Sequence, residues 1–315
     1  MSKVAVIGAG LVGRAWAITF ARGGYSVALF DQDSAAVDKA LGFIDSVLDD
    51  LNSNDLLNGH TPEAVRLRIA KAGSLEAALS DAVHAQENAP EDLSIKKTLY
   101  AELDAVAAPE TVLSSSTSAL LPSRIFEGLP GARRCLVVHP INPPYLVPAV
   151  EVVPSPWTDP EVVTRTADFM KKAGQAPIVM KREIDGFVMN RMQGALLEEA
   201  FRMVADGYAS VEDIDIGLRE GLALRWSFMG PFETIDLNAP GGVGDYVRRY
   251  QQIYERLFPS MQRRVDWAGN VLETVERDRR EKLAEKHLGD RARWRDRRLM
   301  ALIAHKRKAA KDIGS

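Results

Sequence analysis

The segment Gly8-Ala9-Gly10-Leu11-Val12-Gly13 follows directly on the apolar run Val4-Ala5-Val6-Ile7 and opens a stretch of helical period from Val12 to Ala21. Glycines at this spacing are a weak signal alone, because glycine-rich turns are common. Here a second apolar run, Val27-Ala28-Leu29-Phe30, ends in Asp31, 18 residues after Gly13. That order of strand, turn, helix, strand and acid is what a dinucleotide-binding unit requires. The first glycine permits the tight turn, the second lets a pyrophosphate approach the backbone, and the third lets helix and strand pack closely. Leu11, Val12 and Gly13 then begin a helix whose N–H groups can meet an anion. Asp31 would accept from ribose hydroxyls and repel a 2′-phosphate. Gln32 and Asp33 follow with no nearby arginine, so NAD is expected over NADP.

Further runs repeat the alternation. Ala82–Ala85, Val112–Ser114, Leu136–Val138, Val150–Val153 and Ala176–Met180 read as strands, with helical periods between them such as Leu93 to Val106. This predicts an α/β Rossmann-type domain over residues 1–185, with a doubly wound, mostly parallel sheet. From Gly186 the pattern changes. Val188, Met192, Ala195, Leu196, Ala200, Met203 and Val204 recur at helical spacing, and residues 186–315 read as an all-α domain. The single cysteine, Cys135, excludes a disulfide scaffold and reads as a buried small hydrophobe. No basic leader or long apolar span is visible, so a cytoplasmic protein is expected. No metal is implied.

One histidine stands apart. His139-Pro140-Ile141-Asn142-Pro143-Pro144 lies at the carboxyl end of a predicted strand, where open α/β sheets bind ligands. Glu151 follows on the next strand. A carboxylate on one ring nitrogen would fix the tautomer and leave the other nitrogen to take a proton from an alcohol. Spacing alone divides this pair evenly between catalysis and core pairing. For His60, His84, His287 and His305 a structural role is expected. The hydroxyl run Ser114-Ser115-Ser116-Thr117-Ser118 reads first as a solvated turn.

The order of GAGLVG, FDQD, ENAPEDLSIKK, SSSTS, HPINPPYLVPAVEVV, DGFVMNR and GPFETIDL resembles the 3-hydroxyacyl-CoA dehydrogenase family over nearly the whole chain. The resemblance implies NAD-dependent oxidation of a secondary alcohol, with His139 as general base and Glu151 as its partner. It implies Ser118, Asn142 and Asn190 as polar contacts to substrate or nicotinamide, with Asn190 across a cleft from His139. It implies Glu91 and Lys96 as cofactor contacts, with Glu87 an alternative to Glu91, and a homodimer formed through the helical domain.

Substrate class is less legible. A coenzyme A ester brings phosphates, yet Asp33 to Glu63 holds seven acids and one base, Lys39, which favours a small free hydroxy acid over an acyl-CoA. Such an acid needs one cation. Arg225 is the candidate, since its planar fork can grip a carboxylate; Arg124 and Arg191 are weaker ones. A non-catalytic, NADH-binding role is the remaining alternative. The segment from Glu273 to Ser315 holds 14 basic and 8 acidic residues. Their alternating signs suit a solvated helix rather than a nucleic-acid surface. Trp294, Leu299 and Leu302 suggest that this helix docks.

Overall fold

The computed structural model describes residues 1–314. The chain forms two compact units, one of residues 1–188 with 296–304, the other of the remaining described residues. In the first, eight strands form one sheet: β1 (Lys3–Ile7), β2 (Ser26–Phe30), β3 (Ile69–Lys71), β4 (Ala82–Glu87), β5 (Val112–Ser115), β6 (Cys135–Pro140), β7 (Ala149–Pro154) and β8 (Ala176–Val179). Their order is β3-β2-β1-β4-β5-β6-β7-β8. All neighbours run parallel except β6 and β7. The chain reverses its direction of growth between β1 and β4, so their carboxyl ends flank the crevice where α/β sheets bind ligands.

Strand β1 is apolar on both faces from Val4 to Ile7 because helices cover both. Val4 and Val6 join one core with α1 (Leu11–Arg22), α2 (Ser34–Ser53) and helix Pro160–Lys172, while Ala5, Ile7 and Leu113 join another with Tyr100 and Leu103. Side-chain caps start two of the covering helices. Asp33 accepts from the N–H of Ala35, and Asp92 from those of Ser94 and Ile95 at the start of helix Leu93–Val106. Cys135 is buried as expected, and burial pushes its thiol up to about 12.

The second unit is helical. Arg202 of helix Met189–Ala205 donates to the carbonyl of Arg263 at 2.8 Å and pairs with Glu198, which also accepts from Trp267 Nε1 at 2.8 Å. The Trp267 ring stacks on Phe201 with centroids 4.9 Å apart. Helix Gly242–Met261 leaves Val243, Val247, Tyr250, Tyr254, Leu257 and Met261 exposed. Their alternating steps of four and three residues form a seam of the coiled-coil type.

The last helix, Leu288–Ile313, contributes residues 296–304 to the first unit. Met300 enters the core cluster that holds Ile44, Leu48 and Tyr145, with Leu299 and Ile303 packed against it. Arg297 Nε donates to Asp50 at 3.0 Å. The docked face is therefore Leu299, Met300 and Ile303; Trp294 and Leu302, expected to dock, remain 47% and 43% exposed. No helix among the described residues is long and apolar enough to cross a membrane.

Candidate active site

The glycine turn joins β1 to α1. Gly8 has φ +92°, and a Cβ there would stand 2.9 Å from the carbonyl group of Asn88. A Cβ at Gly13 would stand 1.8 Å from the oxygen of Gly8. Close packing thus demands glycine at both positions. Gly10 differs, because a Cβ there meets nothing within 4 Å. The protein itself leaves space in front of Gly10, on a cavity of about 860 Å³ also lined by Asp31, Gln32 and Asn88. Helix α1 starts at Leu11 with no side-chain cap, so the N–H groups of its first turn remain available to an anion. A dinucleotide fits this arrangement, with its pyrophosphate at Gly10 and the first turn of α1. Asp31 accepts from the N–H of Ala9 at 2.7 Å and of Asp33 at 2.9 Å. These bonds hold its carboxylate at the end of β2, where ribose hydroxyls would lie.

The two glutamates proposed as cofactor contacts have different environments. Glu87 is fully buried, paired with Lys96 Nζ at 2.8 Å and accepting from Ser115 Oγ at 2.6 Å. Lys96 is itself 1% exposed and also donates to the carbonyl of Ala89. Glu91 lies at the surface, 42% exposed and 3.7 Å from Lys96. It accepts from the Thr117 hydroxyl and from the N–H groups of Ser118 and Ala119. Burial works against its charge, but the Thr117 hydroxyl, these amides and Lys96 outweigh that cost and hold its carboxyl below the usual range. Glu91 is thus the accessible acid, supported from beneath by Lys96. The serine run is not the expected solvated turn: Ser114, Ser115 and Thr117 are buried at and just past the end of β5, and of the run only Ser118 is exposed.

His139 and Glu151 face one another across the antiparallel pairing of β6 and β7. His139 Nδ1 donates to Glu151 Oε2 at 2.6 Å, and the two side chains are 5% and 0% exposed. The other carboxylate oxygen accepts from the N–H of Val188 at 2.6 Å. Val188 follows a turn in which Gly186 and Phe187 take φ +78° and +49°. A positive φ at a buried phenylalanine stores strain of about 1–3 kcal/mol, a feature that concentrates at functional sites. With both oxygens accepting, the carboxylate fixes the proton on Nδ1 and leaves Nε2 as an acceptor. Phe187 packs beside the imidazole with ring centroids 5.6 Å apart. Asn142, three residues past His139, is exposed and precedes a cis bond to Pro143.

Asn190 and Arg225 belong to the second unit. Asn190 is half-buried in the first turn of helix Met189–Ala205. Arg225 is exposed at the end of a short helix after a π-helical segment, Gly217–Leu222, and its guanidinium reaches Asn238 Oδ1 at 3.5 Å. Sequence reasoning missed the N–H of Val188, which anchors Glu151, and the buried polar side chains of β4. The alternation His84-Ala85-Gln86 carried a signal of the latter, since polar groups inside a parallel sheet demand partners.

The model of the 3-hydroxyacyl-CoA dehydrogenase NAD binding domain matches residues 3–184, and that of the family's C-terminal domain matches residues 186–293. A lambda-crystallin homolog of Rattus norvegicus is 41% identical over 302 residues, covering 95% of this chain and 94% of its own. An L-carnitine dehydrogenase of Streptomyces griseus is 40% identical over 242 residues, 77% of this chain and 70% of its own. Among solved structures, an NAD⁺-dependent dismutase, 5-formyl-3-hydroxy-2-methylpyridine 4-carboxylic acid 5-dehydrogenase, aligns with TM-score 0.83 at 26% identity over 97% of this chain and 99% of that one. The 3-hydroxybutyryl-CoA dehydrogenase of Escherichia coli K12 aligns with TM-score 0.66 at 32% identity over 75% of this chain and 49% of that one. A nucleotide turn that only glycine can form, a buried histidine–carboxylate pair and family matches over both halves converge: the chain is an NAD-dependent oxidoreductase acting on CH–OH groups and belongs to the 3-hydroxyacyl-CoA dehydrogenase family.

Proposed function

We propose that the protein oxidises the 3-hydroxyl of a small free hydroxy acid, a sugar acid such as L-gulonate, with His139 as general base. The observation that carries the reading is the 2.6 Å bond from His139 Nδ1 to a carboxylate whose other oxygen is held by Val188. His139 Nε2 takes the hydroxyl proton, and Glu151 stabilises the imidazolium that forms. General-base catalysis of this kind is worth roughly 10²–10⁴ in rate. NAD, when bound, supplies the hydride acceptor. Ser118, Asn142 and Asn190 orient the substrate oxygens and the nicotinamide amide, and Arg225 takes the carboxylate. In the reverse direction the imidazolium returns the proton to the alkoxide. The complete histidine–carboxylate pair speaks against a non-catalytic, crystallin-like role.

The surface of α2 supports a free acid over a coenzyme A ester. Its carboxylates already engage the cations that reach it: Asp45 pairs with Arg66, Asp38 with Lys71 and Asp50 with Arg297. These three cations are already engaged, so none of them is left over for a phosphorylated handle on this surface. The relationship to the L-carnitine dehydrogenase, named for a free hydroxy acid, points the same way. The likeness to the 3-hydroxybutyryl-CoA dehydrogenase favours the acyl-CoA alternative. NADH production with L-gulonate, carnitine, 3-hydroxybutyrate and 3-hydroxybutyryl-CoA side by side decides between them. The expected result is the highest kcat/KM on a free acid; a clear preference for the CoA ester overturns the assignment.

The seam on helix Gly242–Met261 supports a homodimer through the helical unit, because a four-three apolar stripe is matched by a like helix from a second copy. Leu257→Glu should convert the dimer to monomer in sedimentation; a wild-type chain that is monomeric at micromolar concentration refutes the dimer. A cytoplasmic location accords with a lone cysteine kept as a buried thiol.

A further inference from the structure

Strand β4 has parallel neighbours on both sides, a position in which apolar side chains are the rule, yet His84, Gln86 and Glu87 are all buried on it. Lys96 accounts for Glu87. On the opposite face, Gln86 Nε2 donates to the carbonyl of Val138 at 3.2 Å and to Ser116 Oγ at 2.7 Å. A carbonyl can only accept, so the amide nitrogen must face β6 and Oε1 must face the other way. Oε1 accepts from Ser114 Oγ at 2.8 Å and lies 3.1 Å from His84 Nε2. That nitrogen also lies 2.8 Å from Ser114 Oγ, and a proton on it serves both oxygens. Burial holds the imidazole down at about 4, so it is the neutral Nε2–H tautomer.

The remaining directions follow in sequence. Trp16 Nε1, a donor only, reaches Ser116 Oγ at 3.0 Å. With two donors on that oxygen, Ser116 gives its own hydrogen to Asn88 Oδ1 at 2.8 Å. Asn88 Nδ2 then donates to the carbonyls of Ile7 and Gln86. A hydrogen-bonded network of this kind, buried at Gln86 and half-buried at Ser116 and Asn88, is stiff and specifies one arrangement. One end of this one is Val138, the residue before His139. The other is Asn88, whose carbonyl group lies against Gly8 in the cofactor turn.

We propose that Gln86 is a positioning residue that holds the end of β6, and with it His139, in register with the floor of the cofactor turn. It touches neither substrate nor cofactor and acts through Val138 on one side and through Ser116 and Asn88 on the other. The inference rests on the assignment of His139 as the base and deepens it.

Three variants test it. Gln86→Leu and Gln86→Met keep the volume and remove the hub, whereas Ser116→Ala keeps the bond from Gln86 to Val138 and cuts the branch to Asn88, with Trp16 Nε1 losing the same acceptor. NADH affinity is read by fluorescence titration without substrate, kcat at saturating NAD with an acid the wild type oxidises, and folding by thermal midpoint. The expected result for the Gln86 variants is a loss of about tenfold in both NADH affinity and kcat, because small misplacements of reacting groups carry penalties of this size or larger. Ser116→Ala should weaken NADH about tenfold while kcat at saturation stays within about twofold of wild type, a split that reports binding apart from chemistry. A merely structural hub would lower the thermal midpoint and leave both constants unchanged per folded site, and that outcome overturns the proposal. Should the Gln86 variants not fold, Ser116→Ala decides, and an unchanged NADH affinity overturns it. If the wild type oxidises none of the acids, the substrate assignment fails, while the NADH titration still decides this one.

Discussion

Glu151→Gln isolates the carboxylate's charge from its shape. Glu151 accepts at both oxygens, from His139 Nδ1 and from the N–H of Val188, each at 2.6 Å. A glutamine has one acceptor and one NH₂ group. If its oxygen keeps Val188, the NH₂ faces Nδ1 and forces the proton onto Nε2, which can no longer act as base. If its oxygen keeps His139, two donors confront each other at Val188 in a site with no exposure, at a cost of roughly 1–3 kcal/mol. The first arrangement avoids that cost and should dominate. Turnover should then fall by about 10²–10⁴, the usual worth of the base it disables. Steady-state kcat at saturating NAD and acid measures the loss, with NADH titration as control for an intact cofactor site. A kcat within about threefold of wild type would refute the argument, since the tautomer would then not depend on the carboxylate.

Other expectations are independent of it. Stability should fall as pH drops from about 6.5 to 4, because His84 stays neutral when folded down to about 4 while the unfolded chain takes up its proton first. The difference amounts to about 3 kcal/mol at the acid end by linkage, so His84→Phe should flatten the denaturation midpoint across that window; an unchanged slope would assign the acid sensitivity elsewhere. Met300→Ala should cost about 2–5 kcal/mol in urea unfolding of the first unit, since Met300 is 2% exposed within its core; a loss below about 0.5 kcal/mol would mean that residues 296–304 do not pack there in solution. Asp31→Ser should narrow the preference for NAD over NADP by about tenfold or more by removing the charge opposite a 2′-phosphate. An unchanged ratio of kcat/KM values would place that discrimination in other residues.

The parts of the fold legible in the sequence are those set by local rules. The glycine turn, its strands and the break near Gly186 follow from spacing that short-range sterics dictate. The edge strand Ile69–Lys71 was not legible, because three residues with one buried side chain give no period. Strand β4 was cut at Ala85 because polar residues break an apolar run. Partners distant in sequence make Gln86 and Glu87 tolerable there: Val138 for the former and Lys96 for the latter. The serine run misled for the same reason. Its hydroxyls look solvated until Glu87, Gln86 and Glu91 are brought against them. For the site, His139 and Glu151 could be paired from their places on neighbouring strands, but the anchoring N–H of Val188 could not, since backbone groups carry no sequence signal.

His139→Gln tests the central claim most directly, because it removes the proposed proton acceptor while keeping a polar side chain of similar length. NADH binding should remain within about twofold of wild type and kcat should fall by at least about 10². Turnover within a few-fold of wild type would show that another group takes the proton and that His139 is not the base.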